Sequence, residues 1–243
     1  MNQFEEQSVL SMDLCSQLED LVHVLDEVKP LGIHIAYTVS WTNKLPTAVA
    51  GYPYEEDVAK LLEYVKSNYS LEELKNNKNV RAYRDFFWRL GIDPTKSRPA
   101  SEALVRRALR NQFPRVNIVV DAGNIASAYT LVPIGIYDLA KAMAPLYIRL
   151  SRKGEIFKPI GGKEEVLEEG IPILVDSRGI VMHIYPHRDS VETRVDNFTT
   201  KIITLAAGVP GVEKDIVIKA VSIVVELLKK VGWNSCDKIV YKN

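Results

Sequence analysis

The order of hydrophobic patterns predicts an α+β, or layered α/β, domain. Helical spacing of apolar residues fills the first half, short runs parted by turn residues fill most of the second, and one long apolar helix comes near the end. A doubly wound sheet would need strand and helix to alternate, and they do not. At 243 residues and 47% hydrophobic content the chain can build a substantial core, as one large domain or two small ones. We divide it into an acidic helix over residues 1–29 packed on a single domain over residues 30–243.

Residues 1–28 carry seven acids and neither Lys nor Arg. Leu10, Leu14, Leu18, Leu21, Leu25 and Val28 recur at steps of three and four, which predicts an amphipathic helix with one acidic face, ended by Pro30 and Gly32. Ile33, Ile35, Tyr37, Val39 and Trp41 alternate and predict a strand, with His34 on its other face, solvated or hydrogen-bonded. Helices are expected over 55–68 and 71–90, the second stopped by Gly91 before an Asp93-Pro94 turn. Ser101 is the expected N-cap of a helix over 102–111.

In the middle, Pro114-Arg115-Val116-Asn117 leads into an apolar stretch that Asp121 and Asn124 interrupt at a spacing of three, which on a helix puts both on one face. Pro133–Asp138 reads as a tight turn, with Asp138 as the cap of a possible helix after it. Leu146–Leu150, Ile171–Val175, Ile180–Tyr185 and Lys201–Ala206 read as strands between Gly-rich turns. From about residue 212 to 231 the β-branched content would suit a strand, but the length favours a buried helix.

Several function classes are excluded. There is no P-loop, dinucleotide glycine fingerprint or G-x-S-x-G elbow. His183 and His187 are four apart across a strand end and Pro186, without a third ligand, so neither a metal site nor a cofactor is expected. The N-terminus has acids and no basic, apolar leader, and no run is long enough for a bilayer, so a cytoplasmic protein is expected, with no membrane partner. Cys15 and Cys236 are expected as reduced thiols, with a bridge tying the ends as the alternative. The 31 Lys plus Arg balance the 31 Asp plus Glu, so bulk charge does not announce a nucleic-acid binder and no DNA partner is expected.

Local charge is different. Residues 81–115 hold nine basic and three acidic residues, which either face solvent, pair with the acidic helix, or offer a surface for phosphates. Asp121 and Asn124 either hydrogen-bond a neighbouring loop or contact a substrate. His187-Arg188-Asp189-Ser190 follows a strand, where functional groups often collect; Arg188 could hold an anionic or carbonyl oxygen, or simply staple the loop to Asp189.

Taken together, Arg98-Pro99-Ala100-Ser101-Glu102-Ala103-Leu104, Pro114-Arg115-Val116-Asn117, Val120-Asp121, Asn124 and Pro133-Ile134-Gly135-Ile136-Tyr137-Asp138 resemble the B3/B4 domain of the phenylalanyl-tRNA synthetase beta subunit, which edits mischarged tRNA. Tyr83-Arg84 and Leu90-Gly91-Ile92-Asp93-Pro94 resemble proteins that consist of this domain alone, and Tyr147-Ile148-Arg149, Gly154-Glu155, Asp189-Ser190 and Thr193 continue the likeness, which covers about residues 30–232. The resemblance implies a B3/B4-like domain with a mixed sheet and flanking helices, and a pocket between them. It implies trans hydrolysis of the ester joining a wrong amino acid to tRNA, with mischarged aminoacyl-tRNA as partner. In that reading Arg98, Ser101, Asn117, Asp121 and Asn124 shape the pocket, Arg188 and Asp189 orient substrate or water, and Arg84, Arg106, Arg107 and Arg110 meet tRNA phosphates.

The sequence departs from the synthetase pattern at Gly135, where that pattern has histidine, in the His187–Asp189 stretch, where it has a Gly-Gly turn, and near Leu205, where a glutamate reads a tyrosine hydroxyl. Tyrosine specificity is therefore not carried over. A module that binds tRNA, an amino acid or a small metabolite without turnover is the alternative, and a partner protein using the acidic N-terminal face is a third reading.

Overall fold

The structure, a computed structural model, describes residues 15–44 and 51–243. Cys15 and Ser16 are helical, but after them the expected first helix gives way to other structure. Leu18–Asp20 forms a 3-10 turn, strand β1 (Val22–Val24) comes next, and Asp26–Leu31 makes a second 3-10 stretch closed by Gly32 at φ 68°. The part of the expectation on residues 1–14 lies outside the described residues. The periodic leucines still mark an inner side, with Leu18, Leu21 and Val28 buried. Sheet pairing overrides the helical pattern here: Val22, His23 and Val24 pair in parallel with Leu146, Tyr147 and Ile148, and β-branched residues gain by packing on a sheet what a helix would deny them.

The central sheet grows on strand β2 (His34–Trp41). It pairs antiparallel along its whole length with β10 (Lys201–Gly208), which pairs in turn with β3 (Ile134–Asp138). The stretch read as a tight turn is thus an edge strand; Asp138 Oδ1 does accept from Ala140 N–H at 2.8 Å, but caps a turn at the end of the strand. Across β2, β11 (Asn234–Ser235) and β12 (Val240–Lys242) complete the order β11-β2-β10-β3, with β12 beside β2.

A second sheet runs β1-β4-β7-β8-β9, from β4 (Leu146–Leu150), β7 (Pro172–Val175), β8 (Val181–Ile184) and β9 (Arg188–Asp189). A small hairpin pairs β5 (Ile156–Phe157) with β6 (Glu165–Val166). With parallel and antiparallel pairs beside helices, the fold is α+β with mixed sheets.

Beside the sheets, the described residues form helices α1 (Glu55–Asn68), α2 (Lys78–Arg89), α3 (Ala100–Leu109), α4 (Ile118–Thr130) and α5 (Lys214–Lys230). The single helix expected over 71–90 is split. Leu74–Asn76 is 3-10, and Asn77 restarts the chain as an N-cap accepting from the Asn79 and Val80 N–H groups. Helix α3 begins earlier than expected, after Pro99, so Ser101 lies inside its first turn and does not cap it. One apolar cluster joins the two sheets through Tyr37, Val39, Leu205, Ile148 and Leu174. The other holds α1, α3, α4 and α5 against Ile202 of β10. No helix of the described residues is long and apolar enough to cross a membrane.

Cys15 and Cys236 form a disulfide with Cα atoms 5.5 Å apart, which corrects the expectation of reduced thiols. The sequence separation of 221 hid the pairing. Strands β11 and β12 bring the C-terminal segment along β2, where the Cys236 N–H donates to Val39 O at 3.0 Å.

Candidate functional site

A cavity of about 410 Å³ opens between the start of α4, the edge strand β3 and residues 189–196. Its helical wall is set by two side chains with different duties. Asn117 caps α4, its Oδ1 accepting from Val119 N–H at 3.1 Å and Val120 N–H at 2.9 Å, and it also borders the cavity. Asp121, 1% exposed, turns away to accept from Val116 N–H at 2.8 Å, fixing the approach to the helix. Burial pushes its carboxyl above the usual range, although the Val116 hydrogen bond and the Arg115 charge pull the other way. Asn124, one turn further on, borders the cavity and makes no side-chain hydrogen bond within the described residues. Between them Gly123 lets the strand come close, since a Cβ there would lie 2.8 Å from Ile136 Cδ1.

The strand wall alternates. Ile134 and Ile136 give apolar surface on the helix side, while Tyr137 leaves the strand on its other face and still borders the cavity. Gly135 stands directly opposite Leu205 of β10, so two of the departures noted in the sequence are cross-strand neighbours. A Cβ at 135 would overlap the hydroxyl of Tyr137, so that hydroxyl fills the space a larger residue would need. The Tyr137 hydroxyl donates to Asp189 Oδ1 at 3.0 Å, and His183 Nδ1 meets the same oxygen at 2.9 Å. Burial and the Asp189 charge push the Tyr137 hydroxyl well above its ordinary pKa, so it remains a donor.

Asp189 and Arg188 are neighbours on β9, and successive side chains of a strand leave on opposite faces. Asp189 borders the cavity. Arg188 instead borders a separate cleft of about 500 Å³ and grips Glu165 at 2.5 and 2.7 Å. His187 lies by that cleft, with its Nε2 3.2 Å from Ser97 Oγ; burial, then the nearby charges of Arg188 and His183, push its pKa down to about 4.

The remaining sequence-derived residues scatter. Arg98 is exposed and Ser101 is buried with its Oγ unpartnered; neither borders the cavity. Arg84 and Arg106 both turn onto Glu102, whose side chain is fully buried, at 2.8 and 2.9 Å from the first and 2.7 Å from the second. Burial works to raise the Glu102 carboxyl, but the two guanidinium groups outweigh it and hold it below the usual range. Arg107 and Arg110 are exposed. The basic stretch therefore neutralises its own buried acid, and Arg115 pairs with Glu55 rather than with the N-terminal acids.

Sequence reasoning passed over Tyr137, hidden in a presumed turn, and Arg194. Arg194 is exposed at the cavity edge, whereas neighbouring Asp196 is held by Lys141 at 2.6 Å. Nothing in the local pattern around Arg194 marked it out. His183 and His187 go to different partners, and among the described residues no group of three or more His, Cys, Asp or Glu could hold a metal ion.

A family model described as the B3/4 domain matches residues 82–232. The phenylalanine–tRNA ligase beta subunit of Pyrococcus abyssi is 32% identical over 134 residues, which is 46% of this chain and 24% of that protein. The beta subunit of Thermococcus gammatolerans is 31% identical over 131 residues, 45% of this chain and 23% of its own length, and that of Nitrobacter winogradskyi 27% over 112 residues, 46% and 14%. The chain thus spans 24% or less of these curated relatives. Among solved structures, an N-terminal fragment of the phenylalanyl-tRNA synthetase beta subunit from Pyrococcus horikoshii aligns over 91% of this chain and 54% of the fragment, with TM-score 0.47 and 17% identity.

Proposed function

The chain belongs to the B3/4 domain family, and from that premise we propose that it is a trans-acting aminoacyl-tRNA deacylase, working in the cytoplasm on tRNA that carries a wrong amino acid. The observation that carries the reading is the cavity itself, where Asn124 and Asp189 stand as polar groups among Val120, Ile134 and Ile136. Such a space suits an amino-acid side chain held beside a polar ester. Water attacks the ester carbonyl carbon, the tetrahedral intermediate collapses, and the bond to the ribose oxygen breaks, giving the free amino acid and a tRNA with its terminal hydroxyl restored. The ester is already activated, so positioning and hydrogen bonds to the developing oxyanion suffice, and no nucleophilic side chain is required. Asn124 has an amide N–H available for that oxygen. Arg107, Arg110 and Arg194 are exposed cations for the tRNA backbone.

The test is a panel of mischarged tRNAs incubated with purified protein. Release of at least one amino acid should run on the order of a hundredfold above the spontaneous rate. Turnover of none of them by folded protein overturns the deacylase. A second reading has its own observation: Gly135 faces Leu205, so neither residue supplies the polar group that the resembling synthetase pattern has there. That favours a module that binds tRNA or an amino acid without hydrolysing the ester, and binding without turnover in the same panel selects it.

A further inference from the structure

We propose that Asp189 is the acceptor for a ligand's primary ammonium group, and that Tyr137 and Gly135 exist in their present form to hold it ready. The inference rests on the proposed role of the cavity in taking the aminoacyl end of its substrate, and it names the group by which that end is recognised.

Three charged side chains border the cavity: Asp189, Arg194 and Asp196. Asp196 is already neutralised. Lys141 Nζ lies 2.6 Å from its Oδ2, and its Oδ1 accepts from Phe198 N–H at 2.8 Å. Arg194 would repel a cation. Asp189 differs from both, because its two contacts, from Tyr137 and from His183, converge on Oδ1. Meeting at one oxygen, the two contacts fix the direction of the carboxylate and leave the other oxygen open. Oδ2 has no partner among the described residues, and the side chain is 39% exposed. A carboxylate anchored by one oxygen and open at the other, beside apolar Val120, Ile134 and Ile136, fits an ammonium group attached to an apolar carbon. The α-amino end of an aminoacyl ester has that form.

Tyr137 is a positioning residue in this arrangement. It is 1% exposed, and its hydroxyl reaches Asp189 through the space above Gly135. A side chain at 135 would push the ring aside and release the carboxylate. Glycine at 135 and tyrosine at 137 therefore act as one device, which explains why a small residue sits in a strand where it contributes no packing.

The experiment compares binding of amide-linked, non-hydrolysable analogues. These are 3′-deoxy-3′-aminoadenosine acylated with L-valine or L-phenylalanine, each paired with the α-hydroxy acid counterpart in which a hydroxyl replaces the ammonium. Calorimetry on the full chain should show the amine of at least one pair binding about tenfold or more tighter than its hydroxy partner. Asp189→Asn should abolish that preference, and Tyr137→Phe and Gly135→Ser should reduce it about threefold or more in variants whose melting curves remain cooperative. A purely structural role for Tyr137 would change stability and leave the ratio between partners untouched. Equal binding of amine and hydroxy forms, binding of neither, or an amine preference that survives Asp189→Asn overturns the proposal. The outcome is separable from that of the deacylase reading. Amine preference without turnover of any mischarged tRNA keeps the ammonium site and removes the hydrolase. Equal hydrolysis of aminoacyl- and α-hydroxyacyl-tRNA does the reverse.

Discussion

Glu102 has no exposed side-chain surface, yet its carboxylate is charged because Arg84 and Arg106 grip it from two helices. Truncating it would leave two guanidinium groups facing each other with little water, their side chains being 19% and 15% exposed. Glu102→Ala should therefore cost about 3 kcal/mol in a urea melt at neutral pH, the lower end for a broken buried pair, since both arginines retain some solvent. The folded carboxyl lies below its unfolded value. Its contribution is complete above the unfolded carboxylate range and is lost as pH falls through the folded pKa, so the gap between parent and variant should close in acid. A gap independent of pH would contradict this assignment. The same triad shows how far charge can be read along a sequence. An excess of basic residues over 81–115 was visible, but which arginines are spent on an interior acid depended on how α2 and α3 pack. Asp121 and Asn124 make the parallel point: their spacing marked one helical face, and only the packed structure divides them into a residue that holds the preceding loop and one that borders the cavity.

Helix α4 starts where Asn117 makes it start, because two N–H groups of the first turn find their acceptor there. Asn117→Ala should lower stability by about 1 kcal/mol in chemical denaturation, and Asn117→Asp, which keeps the acceptor, should restore most of it. Equal loss in both variants would place the residue's contribution outside capping. At this scale helices were legible where apolar periodicity ran unbroken: Glu55–Asn68 and Lys214–Lys230 fall close to expectation. Over 71–90 the periodicity ran through a break that Asn77 imposes. Edge strands were the weak point. Pro133–Asp138 looks like a turn because Pro133 and Gly135 dominate it, but pairing of Ile134–Asp138 with Ile202–Ala206 supplies the hydrogen bonds that local propensity does not. Misreading that strand hid Tyr137, and with it the anchor of Asp189.

The two ends of the described chain meet at one covalent point, Cys15–Cys236, on the side of the central sheet where β11 and β12 run beside β2. A link across a separation of 221 residues restrains nearly the whole unfolded chain. Cys236→Ser should lower stability by about 2–4 kcal/mol without altering the cavity, and a reducing agent should bring the parent protein to the same melting point. Identical denaturation midpoints under oxidising conditions would show that the bond adds nothing. By itself the sequence determined the α+β class, the family likeness and the helical face that carries Asn124, because periodicity, caps and motif order are properties of neighbours along the chain. The tertiary structure alone decided that β1 joins a sheet, that the cysteines bond, that Arg188 and Asp189 part to opposite faces, and that Tyr137 fills the space Gly135 leaves. Each of these depends on contacts between residues far apart in sequence, where burial and pairing outweigh local preference.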